Sequence, residues 1–464
     1  MKTPWPGAAG PWVMAIPTPA PPPTTLQPTC TRWANPTRRE IGRQGIATAL
    51  AAYYGDHMAS SHRICSATVD GGREITTSVL TQADWVDIAI PLATDHDRFA
   101  PAMAHPAALT GALTDDMASR AAQRLAEIRL LGIRLVDMPL FRLLSVDLGN
   151  NAISGTLGLT QFADYALTAD LLESELLDAL AWDCLADLPL RDVYLPDLAS
   201  VLDLPGRLCV GGVVALCAIA RPASRLRGPA DYVLLVQERS GSVLNAARRL
   251  SVIPNGFHQP MTDVRADAQL GGTLRREMEE ELFGRADIDN TMSGDRWADP
   301  MHPSRLSEPM RWLDEHPDRC RMECTGFGIN LVSGNFEFAG LVVIDDEEFW
   351  HQYGSMIEGN WESAGLRQFS SLDRDPAVAA GPKLGARRPG RRAGPRRRHP
   401  DVRAAGRSGR ADGRAAEPGG VTGSDSDAVS RHAGRRPSEA GAPGAAGFRS
   451  VLRRPPPGTT AWFS

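Results

Sequence analysis

Lysine is nearly absent from this 464-residue chain: Lys2 and Lys383 stand beside 48 arginines. In a sequence crowded with alanine, glycine and proline, that bias reflects a GC-rich genome rather than an adaptation. Cysteine is scarce as well. Cys30, Cys65, Cys184, Cys209, Cys217, Cys320 and Cys324 are too few and too scattered for a disulfide framework, which points to a reducing, cytoplasmic setting. No apolar run is long enough for a bilayer, since the longest, Leu208–Ala220, has 13 residues where a span needs about 20. The N-terminus does not read as a signal peptide, because its apolar stretch is broken by Pro4, Pro6 and Pro17. Also missing are the phosphate-cradling Gly-x4-Gly-Lys-Ser/Thr, a dinucleotide glycine motif and a Gly-x-Ser-x-Gly elbow, which removes three large enzyme classes.

The formal charge of −5 hides a division. Residues 381–464 hold 17 Arg, 1 Lys and 6 acids, a net +12, leaving residues 1–380 at −17. An acidic body argues against a globular domain that grips phosphate backbones unaided. The tail, 376–464, is Arg, Gly, Ala and Pro with almost no large apolar residue before Phe448, so it cannot bury a core and is expected to be disordered. An arginine-rich nucleic-acid arm, plain disorder and an out-of-frame translation of GC-rich DNA all produce that composition. Residues 1–45 are proline-rich and are likewise expected to be disordered; no helix-turn-helix can be drawn through residues 1–36, so direct DNA binding has no module to work with.

Between the ends the pattern is globular and α+β. An N-terminal α+β region, 46–204, starts with a short helix ending at Tyr53-Tyr54-Gly55, followed by strands over Glu74–Leu80 and Trp85–Ile90. A helix capped by Thr114 or Asp115 turns Ala118, Ala121, Leu125 and Ile128 inward and stops before Gly132. A strand over Ile133–Met138 and a helix over Thr160–Trp182 follow, the latter with Asp170, Glu173, Glu175 and Asp178 on a solvated face. The second region, 205–375, opens with a buried strand, Arg207–Pro222, turned by Arg227-Gly228-Pro229 into Tyr232–Arg239, whose end changes from apolar to polar. A strand over Leu250–Ile253 runs into Pro254-Asn255-Gly256. After a polar insert comes a short helix, Leu274–Phe283, capped by Thr273 and ended by Gly284. Strands near Phe327–Leu331 and Phe336–Ile344 and a helix beginning at Asp345-Asp346-Glu347-Glu348 complete the region.

The densest chemical signal is Arg276-Glu277-Met278-Glu279-Glu280-Glu281-Leu282-Phe283-Gly284. On a helix Glu277, Glu280 and Glu281 share one face, and Arg276 can pair with Glu280 one turn on. Carboxylates this close repel unless a cation sits among them, and a hard, oxygen-rich site suits Mg²⁺ or Mn²⁺. A charged surface helix is the alternative reading. His258, beside Gly256, is a candidate substrate contact or base, although a loop histidine bonded to backbone is commoner. His316, Cys320 and Cys324, at i, i+4 and i+8, would face one metal only on a continuous helix.

This order of strands, a Pro-Asn-Gly end and a helix with Arg-Glu-hydrophobe-x-Glu-Glu resembles the Nudix hydrolases, whose box reads Gly-x5-Glu-x7-Arg-Glu-hydrophobe-x-Glu-Glu-x-Gly-hydrophobe. The resemblance implies a Nudix-like α/β/α sandwich with a mixed sheet over 205–375. By position, Glu280 and Glu281 would be metal ligands, Glu277 would assist, Arg276 would orient the acids, and Gly256 would bring backbone towards a nucleotide-like substrate. The spacing departs from the box. Its glutamate falls on Ala268 and its glycine on Thr262; the loop has six extra residues, offering Asp263 and Asp267 as acidic substitutes, with Asp267 as the third metal ligand. Phe283 delays the final glycine by one position. The phrases Val252–Pro260, Arg276–Gly284 and Cys324–Leu331 also resemble a class of actinobacterial transcriptional regulators with a Nudix-like C-terminal region. The resemblance implies either a regulatory or ligand-binding protein recognising a nucleotide or related phosphate compound, or an active metal-dependent hydrolase of a nucleoside diphosphate linked to another group.

Overall fold

The computed structural model describes residues 41–55, 61–69, 73–102, 115–133, 135–182, 188–241, 243, 249–285, 301–360 and 362–372. The expected disordered tail, 376–464, and residues 1–40 lie outside these. Residues 43–45, expected in the N-terminal segment, already belong to the first helix. The helices are α1 (Arg43–Tyr54), α2 (Asp115–Leu130), α3 (Phe162–Ala166), α4 (Ala169–Ala181), α5 (Pro189–Tyr194), α6 (Leu198–Leu202), α7 (Leu270–Glu281), α8 (Glu308–Glu315) and α9 (Glu347–Tyr353). The strands are β1 (His62–Val69), β2 (Arg73–Gln82), β3 (Val86–Pro91), β4 (Asp97–Pro101), β5 (Pro139–Gly149), β6 (Ala152–Gln161), β7 (Gly211–Arg221), β8 (Asp231–Arg239), β9 (Leu250–Val252), β10 (Asn255–Phe257), β11 (Cys320–Asn330), β12 (Asn335–Ile344) and β13 (Ser363–Ser370).

Ten strands form one mixed sheet in the order β1-β2-β11-β12-β7-β8-β13, with β3 beside β11, β10 beside β7 and β9 beside β8. Its centre is the parallel pair β7–β12, in register from Gly211 opposite Phe336 to Ile219 opposite Ile344. Burial on both faces is why β7 reads as a continuous apolar run rather than an alternation. The N-terminal strands are part of this same sheet: Leu80 of β2 pairs with Ile329, and Ile90 of β3 with Cys324. The sheet therefore crosses the boundary expected at residues 204/205. A separate three-stranded sheet, β4-β6-β5, is stitched to the large one where Phe141 N donates to His258 O at 2.9 Å and Leu143 N to Cys209 O at 2.7 Å.

Several local expectations shift for identifiable reasons. The stretch Ile133–Met138 forms no strand in its described residues; pairing starts at Pro139, where β6 supplies a partner. The helix expected over Thr160–Trp182 is two helices, because β6 extends through Gln161 and Asp164 then closes a capping box on Gln161. The buried face of α2 carries Met117, Arg124 and Ile128, while Ala118 and Leu125 are exposed. Arg124 turns inward to meet Asp170 of α4 at 2.8 Å. Asp170 is thus buried, not solvated, and burial lifts its carboxyl to about 7. Glu175, expected on the same solvated face, is also buried and accepts the Leu190 and Arg191 amides at the start of α5. Among the described residues no helix is long and apolar enough to cross a membrane, and none of the five described cysteines forms a disulfide.

Candidate functional site

Helix α7 begins at Leu270, four residues before the expected start. Its first turn contains Gly271 and Gly272, poor helix formers, and its N-cap residue Gln269 makes no side-chain bond. Asp97 of β4 supplies the missing acceptor: its Oδ2 takes the Gly271 amide at 2.9 Å, so a carboxylate from a distant strand caps the helix. A side chain at Gly271 would stand 2.5 Å from the Leu92 carbonyl oxygen, so this approach requires glycine. Burial pushes the Asp97 carboxyl up to about 6 against those amide bonds. Thr273, expected as the cap, lies inside the helix, which stops at Glu281 with Leu282 as its C-cap; Gly284, expected to end it, follows two residues later at φ +62°.

Leu270, Leu274, Met278 and Leu282 form the apolar stripe, all at most 1% exposed. The polar side of α7 is enclosed too. Glu277, Glu279, Glu280 and Glu281 are all buried, Glu281 at 1% exposure. Each carboxylate with described bonds has protein donors. Glu281 Oε1 accepts from Gln237 Nε2 at 2.8 Å and Oε2 from the Asn255 amide at 2.7 Å. Glu277 Oε1 accepts from Arg276 Nη2 at 2.8 Å. Glu279 takes the Ser307 amide and hydroxyl at 2.5 and 2.6 Å and Arg285 Nη1 at 3.0 Å, which docks the start of α8. Burial, with Glu277 and Glu362 nearby, holds the Glu281 carboxyl well above the usual carboxylate range despite Arg239 and the Asn255 amide.

Arg276 donates to the adjacent Glu277 and reaches the Phe257 carbonyl at 3.2 Å, fastening the 255–260 turn to the helix. Gly256, expected to bring backbone towards a substrate, brings it against Glu277 instead: a side chain there would stand 2.0 Å from Glu277 Oε1. His258 is fully buried, so the substrate-contact role is corrected. Its ring lies 4.6 Å from that of Phe141. Its Nε2–H donates to the Ala268 carbonyl at 3.1 Å, which leaves Nδ1 to accept from the Thr273 hydroxyl at 2.8 Å. Burial, reinforced by Arg276, pulls its pKa down to about 3 and keeps it neutral. Ala268, onto which the resemblance would put the box glutamate, supplies that carbonyl.

The acids of the insert bond within their own loop. Asp267, expected as the third metal ligand, accepts the Met261, Thr262 and Asp263 amides on one oxygen at 2.7, 2.9 and 3.0 Å, and Asp263 accepts the Arg265 and Ala266 amides. These acids organise their own loop. Glu281 directs both oxygens, and Asp267 one, to N–H donors. Among the described residues no three His, Cys, Asp or Glu side chains gather as a metal-holding group. The His316–Cys320–Cys324 alternative fails because Cys320 and Cys324 lie on strand β11, with Cys324 buried. Sequence reasoning missed Asp97, Gln237, Asn255 and Ser307 as partners. Only Gln237 had a signal, standing where β8 turns from apolar to polar. No protein-family model matches this chain, and no curated protein matches it significantly.

Proposed function

We propose that this chain is a regulatory or ligand-recognising protein whose Nudix-like acid helix serves as a structural element rather than a hydrolytic centre, with a nucleotide or related phosphate compound as the ligand class. The observation that carries this reading is Glu281, 1% exposed with both oxygens bonded to nitrogen donors. A metal-dependent hydrolase needs carboxylate oxygens open to a cation that activates water. Glu277 fills the space beside Gly256, which supports the structural part of this reading. A second reading, a working hydrolase of a nucleoside diphosphate linked to another group, draws on the crowding of Glu277, Glu281 and Glu362, which a Mg²⁺ or Mn²⁺ ion would relieve. A cytoplasmic setting accords with the absence of disulfides among the described cysteines.

The test is the thermal midpoint of the full chain with and without millimolar Mn²⁺, beside the Glu280→Gln/Glu281→Gln variant, together with a turnover screen over nucleotides. A ligand that binds only the folded state raises its stability. The regulatory reading expects no Mn²⁺ response that the variant abolishes, and stabilisation by a nucleotide without product. Mn²⁺ stabilisation of the native chain alone, with turnover, would establish the hydrolase.

A further inference from the structure

Buried arginines in this protein ordinarily have a carboxylate. Arg124 meets Asp170 at 2.8 Å, and Arg221 meets Asp231 at 2.5 Å. Arg142 and Arg207 differ. Arg142, 1% exposed on β5, passes over Gly158 and donates through Nη2 to the carbonyls of Pro205, at 2.7 Å, and Arg207, at 3.0 Å. The Arg207 side chain donates through Nε to Val201 O at 2.8 Å and through Nη1 to Gly334 O at 2.7 Å, in the turn between β11 and β12. The Arg142 guanidinium therefore sits on the backbone of the residue that carries the second guanidinium. Arg142 Nε and Arg207 Nη2 are both buried N–H groups with no acceptor.

Two guanidiniums within electrostatic reach of each other, held by carbonyls and, for Arg207, the Cys209 thiol, are a costly arrangement, because such dipoles solvate a cation without cancelling its charge. Burial and the neighbouring Arg207 both lower the Arg142 pKa, opposed only by the Cys209 thiol. No described carboxylate pairs with either cation. Asp203, in the same loop, accepts the Gly206 amide instead. Arg191, which grips the Leu331 and Val332 carbonyls of the same β11–β12 turn, has Glu175 within electrostatic reach and so belongs to a compensated set.

We propose that Arg142 and Arg207 form a site for a compact oxyanion of the phosphate class, entering past the exposed Pro205–Gly206 segment and accepting the two N–H groups that lack acceptors. Arginine's planar fork suits such an anion, and its charge would offset both cations. The site uses none of the acid-helix residues, so it stands or falls separately from the reading of α7: Mn²⁺-dependent turnover would overturn that reading and leave this one untouched.

The test compares thermal midpoints of the full chain in 10 mM inorganic phosphate, in 10 mM of a nucleoside monophosphate, and in sodium chloride of equal ionic strength and pH. Phosphate is expected to raise the midpoint by roughly 3 °C over chloride, a shift that fits a site well above half saturation. Arg207→Gln is expected to abolish the increment, and Arg207→Lys to retain only part of it. Arg142→Gln should do the same if it folds; Arg207, half-buried and on a loop, keeps the test independent of that. Stabilisation by the monophosphate alone, lost in Arg207→Gln, supports the site and assigns it to a phosphorylated compound. Equal midpoints in all three solutions, or an increment that survives Arg207→Gln, overturns it.

Discussion

Asp97 joins the small sheet to helix α7 through one carboxylate, and its titration tests that joint quantitatively. Its carboxyl is 2% exposed, bonded to the Gly271 amide at 2.9 Å, and raised from 3.8 to about 6 by burial. A folded-state pKa above the unfolded one means the native state binds the proton more tightly. Asp97 therefore adds stability that is complete below about pH 4 and lost as pH rises through 6. At 1.36 kcal/mol per pH unit, the difference between the two pKa values makes the loss between pH 4 and pH 8 about 2.5 kcal/mol. Asp97→Asn keeps an oxygen for the Gly271 amide and does not titrate. Whatever its fit costs, that cost is constant with pH. Urea unfolding of the full chain and of Asp97→Asn, at half-unit steps from pH 4 to 8, gives the stability difference directly. Wild type is expected to lose ground against the variant by about 2.5 kcal/mol across the range, with about half of the loss made by pH 5 and the curve flattening above pH 6. A difference flat within about 0.5 kcal/mol, or one favouring wild type at high pH, refutes the argument that desolvation outweighs the helix terminus.

Glu279→Ala removes the acceptor for Ser307 and Arg285 from a fully buried position, and urea unfolding should show a loss of about 3–5 kcal/mol. Gly256→Ala forces a methyl onto Glu277 and should destabilise by about 1–3 kcal/mol. Gly272→Ala, where nothing lies within 4 Å, should instead stabilise α7 by up to about 1 kcal/mol; a loss at Gly272 comparable to that at Gly256 would contradict the contrast. The His258 ring is expected to show no protonation shift by NMR between pH 5 and 8, since its pKa lies near 3. A mid-range titration there would mean that the ring reaches solvent.

The strands were legible because apolar patterning reports burial: β2, β3, β7, β8 and β12 fall where their runs of Ile, Val and Leu place them. Chain partition was not legible, because pairing between β2 or β3 and β11 joins residues more than 200 positions apart and leaves no local trace. The same limit explains Asp170 and Glu175. On a helical wheel they stand among surface acids, and only the approach of Arg124 and of α5 makes them interior. In the fold Gly256 packs against Glu277, and Arg276 joins Glu277 to the 255–260 turn. His258 was misread, because its partners Phe141 and Ala268 come from separate segments.

Why one sequence pattern reads as a cation site and folds as a hydrogen-bonded network follows from what covers the polar side of α7. Its apolar stripe packs on the large sheet, and the opposite side would be wet in a surface helix. Here the 255–260 turn and the start of α8 close over it. Enclosed carboxylates must lose their mutual repulsion, and three devices can do so: a proton, nitrogen donors or a divalent cation. Glu281 uses nitrogen donors, through its bonds to Gln237 and Asn255, and burial beside Glu277 makes its carboxyl take up a proton more readily than a free one. A cation would have to compete with that proton and displace those donors. Metal binding at Glu281 is consequently coupled to proton release, so any Mn²⁺ stabilisation of this chain must strengthen as pH rises. A Mn²⁺ effect independent of pH would have to arise at another site, and the hydrolase reading would gain nothing from it.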